Sequence, residues 1–183
     1  MVVSKPRRGQ GSDALRDAAI EVAKERGLGK LSLREVAERG GVTHGLIRHH
    51  FGGREGLVSA AVEIAANRTH YLSDTSGRTL ATQIDDTLGE LRVQYEAVLS
   101  NQYQKVLDAV YEGYNVEVVN WLRERDLPGD ETTIELMNAL IEGITIRRVV
   151  RGESFDPDAA LERFVDMLKL LQAEAREVPG PSD

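Results

Sequence analysis

Between Ser32 and Arg54 the chain gathers hydrogen-bond donors suited to recognition rather than to catalysis. Arg34, Arg48 and Arg54 carry forked guanidinium groups that match oxyanions and paired acceptors. Ser32 and Thr43 add hydroxyls, and His44, His49 and His50 add ring N–H groups. The catalytic alternatives fail on spacing. His49 lies five residues after His44 and directly before His50, whereas two ligands on a helix need a spacing of three or four to face one ion. There is no glycine-rich phosphate loop with Lys and Ser/Thr, and no Gly-x-Ser-x-Gly elbow. Cysteine is absent, which removes thiolate nucleophiles, disulfides and cysteine-ligated zinc together. The acid pairs Asp85-Asp86 and Glu124/Asp126 fall on helix faces expected to be solvated. The expectation is a chain with no catalytic residues, no metal and no cofactor.

The elements that position these donors follow from caps, glycines and apolar spacing. Leu15, Ala18, Ala19, Val22 and Ala23 fall at i, i+3, i+4, i+7 and i+8, predicting a helix over 12–26 with Gly27 as its C-cap. Ser32, with Glu35 three residues on, predicts a capping box opening a second helix. Gly40 and Gly41 permit a reversal, and Thr43 is placed to cap a third helix carrying His44, Leu46, Ile47, Arg48, His49 and His50. Gly52 and Gly53 then separate it from a long helix beginning near Arg54, whose buried face is Leu57, Val58, Ala61, Val62 and Ala65. Helix, tight turn and short helix make a helix-turn-helix, whose second helix is built to enter the DNA major groove.

Residues 12–58 resemble the N-terminal domain of the TetR family of bacterial transcriptional regulators. The resemblance lies in the Ala-rich first helix SDALRDAAIEVAKERG, the Ser-x-x-Glu-Val-Ala helix, the Gly-Val-Thr turn, the His50-Phe51 ending, and Arg54, Glu55 and Leu57 opening the next helix. Arg48 stands where that family usually has Tyr, and Arg54 where it usually has Lys. The resemblance implies that Arg34, Thr43, His44, Gly45 and Arg48 approach bases or nearby phosphates. It implies that Ser32, His49, His50 and Arg54 hold the DNA backbone. It also implies an effector pocket inside a helical body.

Charge supports one DNA-facing end. The 183-residue chain has a net charge of −7, yet residues 1–60 hold 11 basic and 7 acidic residues, and the remainder 12 and 23. A basic head on an acidic body suits a protein that meets phosphate at one end. Residues 1–11, with Lys5, Arg7 and Arg8, are expected as a disordered basic arm. No apolar run approaches the ~20 residues that cross a membrane, and MVVSKPRRGQG lacks an apolar signal core. A cytoplasmic protein that does not enter membranes is expected.

The body, 59–177, is predicted all-helical. Leu80, Ile84, Leu88, Leu91, Tyr95 and Val98 predict one helix over 79–99, with Asn101 as an interruption. A further helix carries Val106, Leu107, Val110, Tyr111, Tyr114, Val118 and Trp121. Leu127-Pro128-Gly129-Asp130 stops and restarts the chain. Glu131–Arg151 buries Ile134, Met137, Leu140, Ile141 and Ile144, and is widened by Leu136 and Val149, so it needs more than one partner. The last helix opens at Pro157 and is predicted to bury Leu161, Phe164, Val165, Leu168 and Leu171. Residues 178–183 are expected to fray. The fold class is all-α: an N-terminal three-helix DNA-binding domain (12–58) and a C-terminal helical ligand-binding and dimerisation domain.

Tyr95, Tyr111, Tyr114 and Trp121, with Met137 or Ile141 opposite, are expected to line a mostly apolar cavity for a small, mainly apolar effector. Gln94, Asn115, Asn120 and Arg147 are polar neighbours able to orient it. Ile144, Arg148, Leu161, Phe164 and Leu168 are expected at a homodimer interface. The function expected is a ligand-responsive repressor that binds a double-stranded, palindromic operator as a homodimer. The alternatives are an activator or a protein-partner-controlled regulator of the same fold, and a helical small-molecule carrier without DNA binding. Intact basic residues at Arg34, Arg48 and Arg54 weigh against the carrier.

Overall fold

The computed structural model describes residues 10–100 and 102–177. The expected basic arm up to Gly9, the interruption at Asn101 and the tail from Val178 lie outside the described residues. Among those described there are nine α-helices and no strand: α1 (Gln10–Arg26), α2 (Leu33–Arg39), α3 (His44–Phe51), α4 (Arg54–Arg68), α5 (Leu80–Asp86), α6 (Leu88–Ser100), α7 (Gln104–Glu124), α8 (Glu131–Arg151) and α9 (Pro157–Glu177). Short 3-10 turns lie at Leu28–Lys30 and Gly152–Ser154. The chain divides into two compact units, one running up to Thr69 and then taking Thr87–Val110, the other made of His70–Asp86 and the chain from Tyr111. The unit holding the helix-turn-helix takes in all of α4 and α6.

In the first unit α1 is the central helix. Its whole predicted stripe is buried, and so is that of α4. Ala18, Ala19 and Ala23 on α1 and Ala60, Ala61, Ala65 and Ala66 on α4 are all buried. Such small side chains let helix axes approach closely. Leu15, Ile20 and Val22 of α1, Val36 of α2 and Ile47 of α3 complete the core with no exposed surface. Each large side chain buried in this way contributes roughly 1.5–3 kcal/mol.

The predicted helix 79–99 is two helices, broken at Thr87. Leu88 and Val98, expected inside, are exposed, while Glu90, Leu91, Val93, Gln94 and Ala97 are buried. The reason is polar. Glu90 accepts from Lys24 Nζ at 3.0 Å and from Arg68 Nη1 at 3.1 Å, and Gln94 Oε1 accepts from Thr69 Oγ1 at 3.0 Å. These partners sit on α1 and at the end of α4, and an apolar pattern carries no information about them. Burial works against the Glu90 carboxylate, but Lys24 and Arg68 outweigh it and hold its pKa below the ordinary value.

In the second unit α8 packs with α9, and α5 packs on both. Its core joins Val118, Trp121 and Leu122 of α7, Leu127, Met137 of α8 and Leu168 of α9. Asp130 caps α8 by accepting from Thr133 N at 3.0 Å, and Gly152 ends that helix with φ 56°. The Asp158 carboxylate, in the first turn of α9, accepts from Leu80 N at 2.7 Å and Ala81 N at 3.0 Å, closing the first turn of α5. Leu171, predicted to be buried on α9, is exposed.

Candidate nucleic-acid interface

The helix-turn-helix forms as the spacing predicts, with its caps simpler than expected. Ser32 Oγ accepts from Glu35 N at 3.4 Å, but the Glu35 carboxylate turns to Arg39 at 3.4 Å and Arg26 at 3.6 Å. Half of the capping box is therefore made through the Glu35 amide, and the carboxylate is held by arginines. Thr43 is the N-cap of α3 with extended backbone, yet its hydroxyl makes no cap hydrogen bond. That corrects the expected capping role and leaves the exposed hydroxyl for another partner. The turn needs Gly40 because a Cβ there would lie 3.2 Å from the carbonyl oxygens of Ala14 and Val36. Beyond α3, Gly53 at φ 139° lets the chain enter α4 at an angle other residues resist.

Burial of Ile47 sets the rotation of α3 and presents His44, Gly45, Arg48, His49 and His50 to solvent. His44, Gly45, Arg48 and His49 line one open surface hollow. Arg34 is exposed and paired to Glu38 at 2.8 Å. Such a surface i, i+4 pair contributes only about 0.3–0.5 kcal/mol, so the guanidinium stays available.

Arg54, expected as a contact to the DNA backbone, is engaged within its own unit. Its Nη2 donates to Leu28 O at 2.8 Å and Gly29 O at 3.0 Å, and its Nε to Leu31 O at 3.4 Å. On the amide side of the same 3-10 turn, Glu96 accepts from Leu28 N at 2.9 Å and Gly29 N at 3.0 Å. The turn is gripped by a cation on its carbonyls and an anion on its amides, the arrangement its backbone dipoles favour. Glu96 was not among the expected site residues. Its one sequence signal is an acid on the α6 face next to buried Val93 and Ala97.

The expected effector residues fall in different surroundings. Tyr95 is half-buried in the first unit. In the second unit, Tyr111 Oη donates to Glu142 at 2.9 Å, and the Tyr111 and Tyr114 rings meet edge-on at 5.9 Å. His70 packs on Tyr114 at 4.5 Å, with Nδ1 3.4 Å from Glu117. Burial pushes the His70 pKa down, although Glu117 pulls it back in part. Asn138 Nδ2 donates to Asn115 Oδ1 at 2.6 Å. Trp121 and Met137 belong to the packed core, with the Arg125 guanidinium 3.9 Å over the indole. Ile141 is half-buried.

The expected interface residues also divide. Ile144 and Leu168 face inward, Leu161 and Phe164 pack half-buried against the core, and Arg148 is tied to Asp85 at 2.9 Å and to the carbonyls of Gly152 and Phe155. The apolar side chains left outward are Leu136, Ile146, Val149 and Val150 on α8 and Met167, Leu170 and Leu171 on α9.

Known proteins share this arrangement. Residues 15–61 match the family described as bacterial regulatory proteins, tetR family, and residues 63–169 match the tetracyclin repressor-like C-terminal domain. The chain is 25% identical over 180 residues to the HTH-type transcriptional regulator BetI of Ectopseudomonas mendocina, covering 87% of this chain and 92% of that one. It is 30% identical over 120 residues to the HTH-type transcriptional repressor Rv3405c of Mycobacterium tuberculosis, covering 57% and 61%. A transcriptional regulator of Rhodococcus sp. Rha1 superposes with a TM-score of 0.63 at 22% identity, covering 85% and 94%. The multidrug binding protein EbrR complexed with proflavin superposes with a TM-score of 0.57 at 25% identity, covering 85% and 98%. The helix-turn-helix of the first unit and the match along most of the remaining chain together make this protein a TetR-family transcriptional regulator.

Proposed function

We propose that this regulator is a repressor that binds a palindromic operator as a homodimer and leaves it when a small, mainly apolar molecule enters the helical body. The observation that carries the reading is the apolar surface of α8 and α9. Val150 is 75% exposed and Leu170 66%, and five further large apolar residues lie exposed on the same two helices. Exposed apolar side chains on two long helices suit pairing with a second copy through a four-helix bundle. Dimerisation supports operator recognition, because one short recognition helix reads few base pairs and two heads meet successive major grooves. The repressor named above, Rv3405c, supports the sign of regulation. The polar-tipped Tyr111, Tyr114 and His70 cluster, and the proflavin held by EbrR, support an aromatic, mainly apolar effector. Binding of a molecule that prefers a body shape with the two heads too far apart would lower DNA affinity by linkage.

Sedimentation velocity at micromolar concentration, alone and with DNA from upstream of the chain's own gene, tests the reading. The expected result is a species of twice the 20.2 kDa chain mass that binds this DNA and is released by proflavin. A monomer at that concentration would overturn the homodimer. A dimer that ignores this DNA, or holds it equally with and without proflavin, would overturn the repressor reading in the form given.

A further inference from the structure

We propose that Arg48 reads a guanine in each operator half-site, making it the base-specificity residue of the recognition helix. The inference rests on the DNA-binding reading above and goes beyond it by naming the base.

Within the first sixty residues the described arginines hold internal partners, with one exception. Arg16 is paired to Glu63 at 3.0 Å, Arg26 to Glu35 at 3.6 Å, Arg34 to Glu38 at 2.8 Å and Arg39 to Glu25 at 2.6 Å. Arg54 donates to three backbone carbonyls. Among the described residues of this segment, Arg48 is the arginine whose guanidinium has no carboxylate or carbonyl partner. Its own helix, HGLIRHHF, contains no acid to capture it.

The position of Arg48 on α3 points the same way. At about 100° per residue, His44, Arg48, Gly45 and His49 follow one another around roughly 140° of α3. Arg48 and Gly45 occupy the middle of that arc, and His44 and His49 its margins. The arc is fixed in direction because Ile47 has no exposed surface. A Cβ on Gly45 would meet nothing within 4 Å, so the glycine is not required by packing and leaves the space beside Arg48 open. A long forked side chain next to a bare backbone can reach the floor of the major groove, while the margins are placed nearer the phosphates. On that floor, guanine offers the two acceptors, O6 and N7, that a guanidinium meets in bidentate fashion.

Selection from a random double-stranded library, using wild type and Arg48→Ala, tests the proposal. The wild type is expected to enrich a two-fold symmetric site with a guanine at one matched position in each half. Arg48→Ala is expected to enrich the other positions but lose preference there. Circular dichroism should show it folded, since the residue is exposed and unpartnered. Replacing that guanine with 7-deazaguanine, which lacks the N7 acceptor, should weaken wild-type binding about fivefold or more and leave Arg48→Ala unchanged. If Arg48→Ala keeps the same base preferences and only its salt slope falls by about one, Arg48 contacts phosphate and the proposal is overturned, while DNA binding stands. If the wild type enriches no site, the DNA-binding reading itself fails.

Discussion

Recognition helix α3 in the first unit and the α8–α9 pair in the second present surfaces of opposite character. Around α1 the first unit closes on itself, although α6 leaves Leu88, Val98 and Leu99 exposed: alanine faces bury α1 against α4, buried Glu90 is answered by Lys24 and Arg68, and Glu96 and Arg54 grip the 3-10 turn from both sides. What it leaves exposed on α3 is polar and basic. The second buries Trp121, Leu122 and Met137 but leaves seven large apolar residues of α8 and α9 in solvent. A surface of donors without internal partners awaits an anionic ligand, and a surface of aliphatic side chains awaits an apolar one. The contrast teaches that incomplete satisfaction, polar on α3 and apolar on α8 and α9, marks where each of these surfaces meets something else.

The largest expected effect lies on the apolar side. Leu170→Glu places a charge on the proposed pairing surface and should raise the dimer dissociation constant by about 30-fold or more, measured by sedimentation equilibrium. Because Leu170 is exposed in the single chain, monomer helicity should be unchanged. Loss of helicity together with loss of dimer would show that α9 uses this residue internally.

Next is the charge buried in the first unit. Glu90→Gln should lower stability at pH 7 by about 1–3 kcal/mol, because Lys24 and Arg68 lose the negative charge they share. The Glu90 carboxyl is held below its ordinary 4.5. Its contribution is therefore fully present above that value and is lost as pH falls through the depressed folded value. Denaturant midpoints of wild type and variant should converge toward acid pH. A gap that stays constant down to pH 3 would show that packing rather than charge sets the effect.

The smallest effect separates support from contact. Arg54→Ala should cost about 1 kcal/mol by removing hydrogen bonds to the 3-10 turn. The salt slope of operator binding should be unchanged, whereas a phosphate contact would reduce it by about one. Titrations of operator binding across a salt series distinguish the two roles.

Local features were determined by the sequence alone. The α1 and α4 stripes, the Ser32 cap, the glycine turns, the restart after Asp130 and the Pro157 start all depend on residues close in sequence, and all appear where spacing places them. The family was legible for the same reason, since its motifs occupy one short contiguous segment. Only the tertiary structure decided the rest. The inward turn of Glu90 is answered by Lys24, 66 residues away. The task of Arg54 depends on carbonyls 23 to 26 residues earlier and lies beside a carboxylate, Glu96, from a different helix. Ile144 and Leu168 turned inward, leaving Val150 and Leu170 outside, because α8 and α9 chose which faces to bury against each other. Periodicity says that a helix has an apolar side. Which of two apolar sides meets the chain's own core is set by packing among segments far apart in sequence.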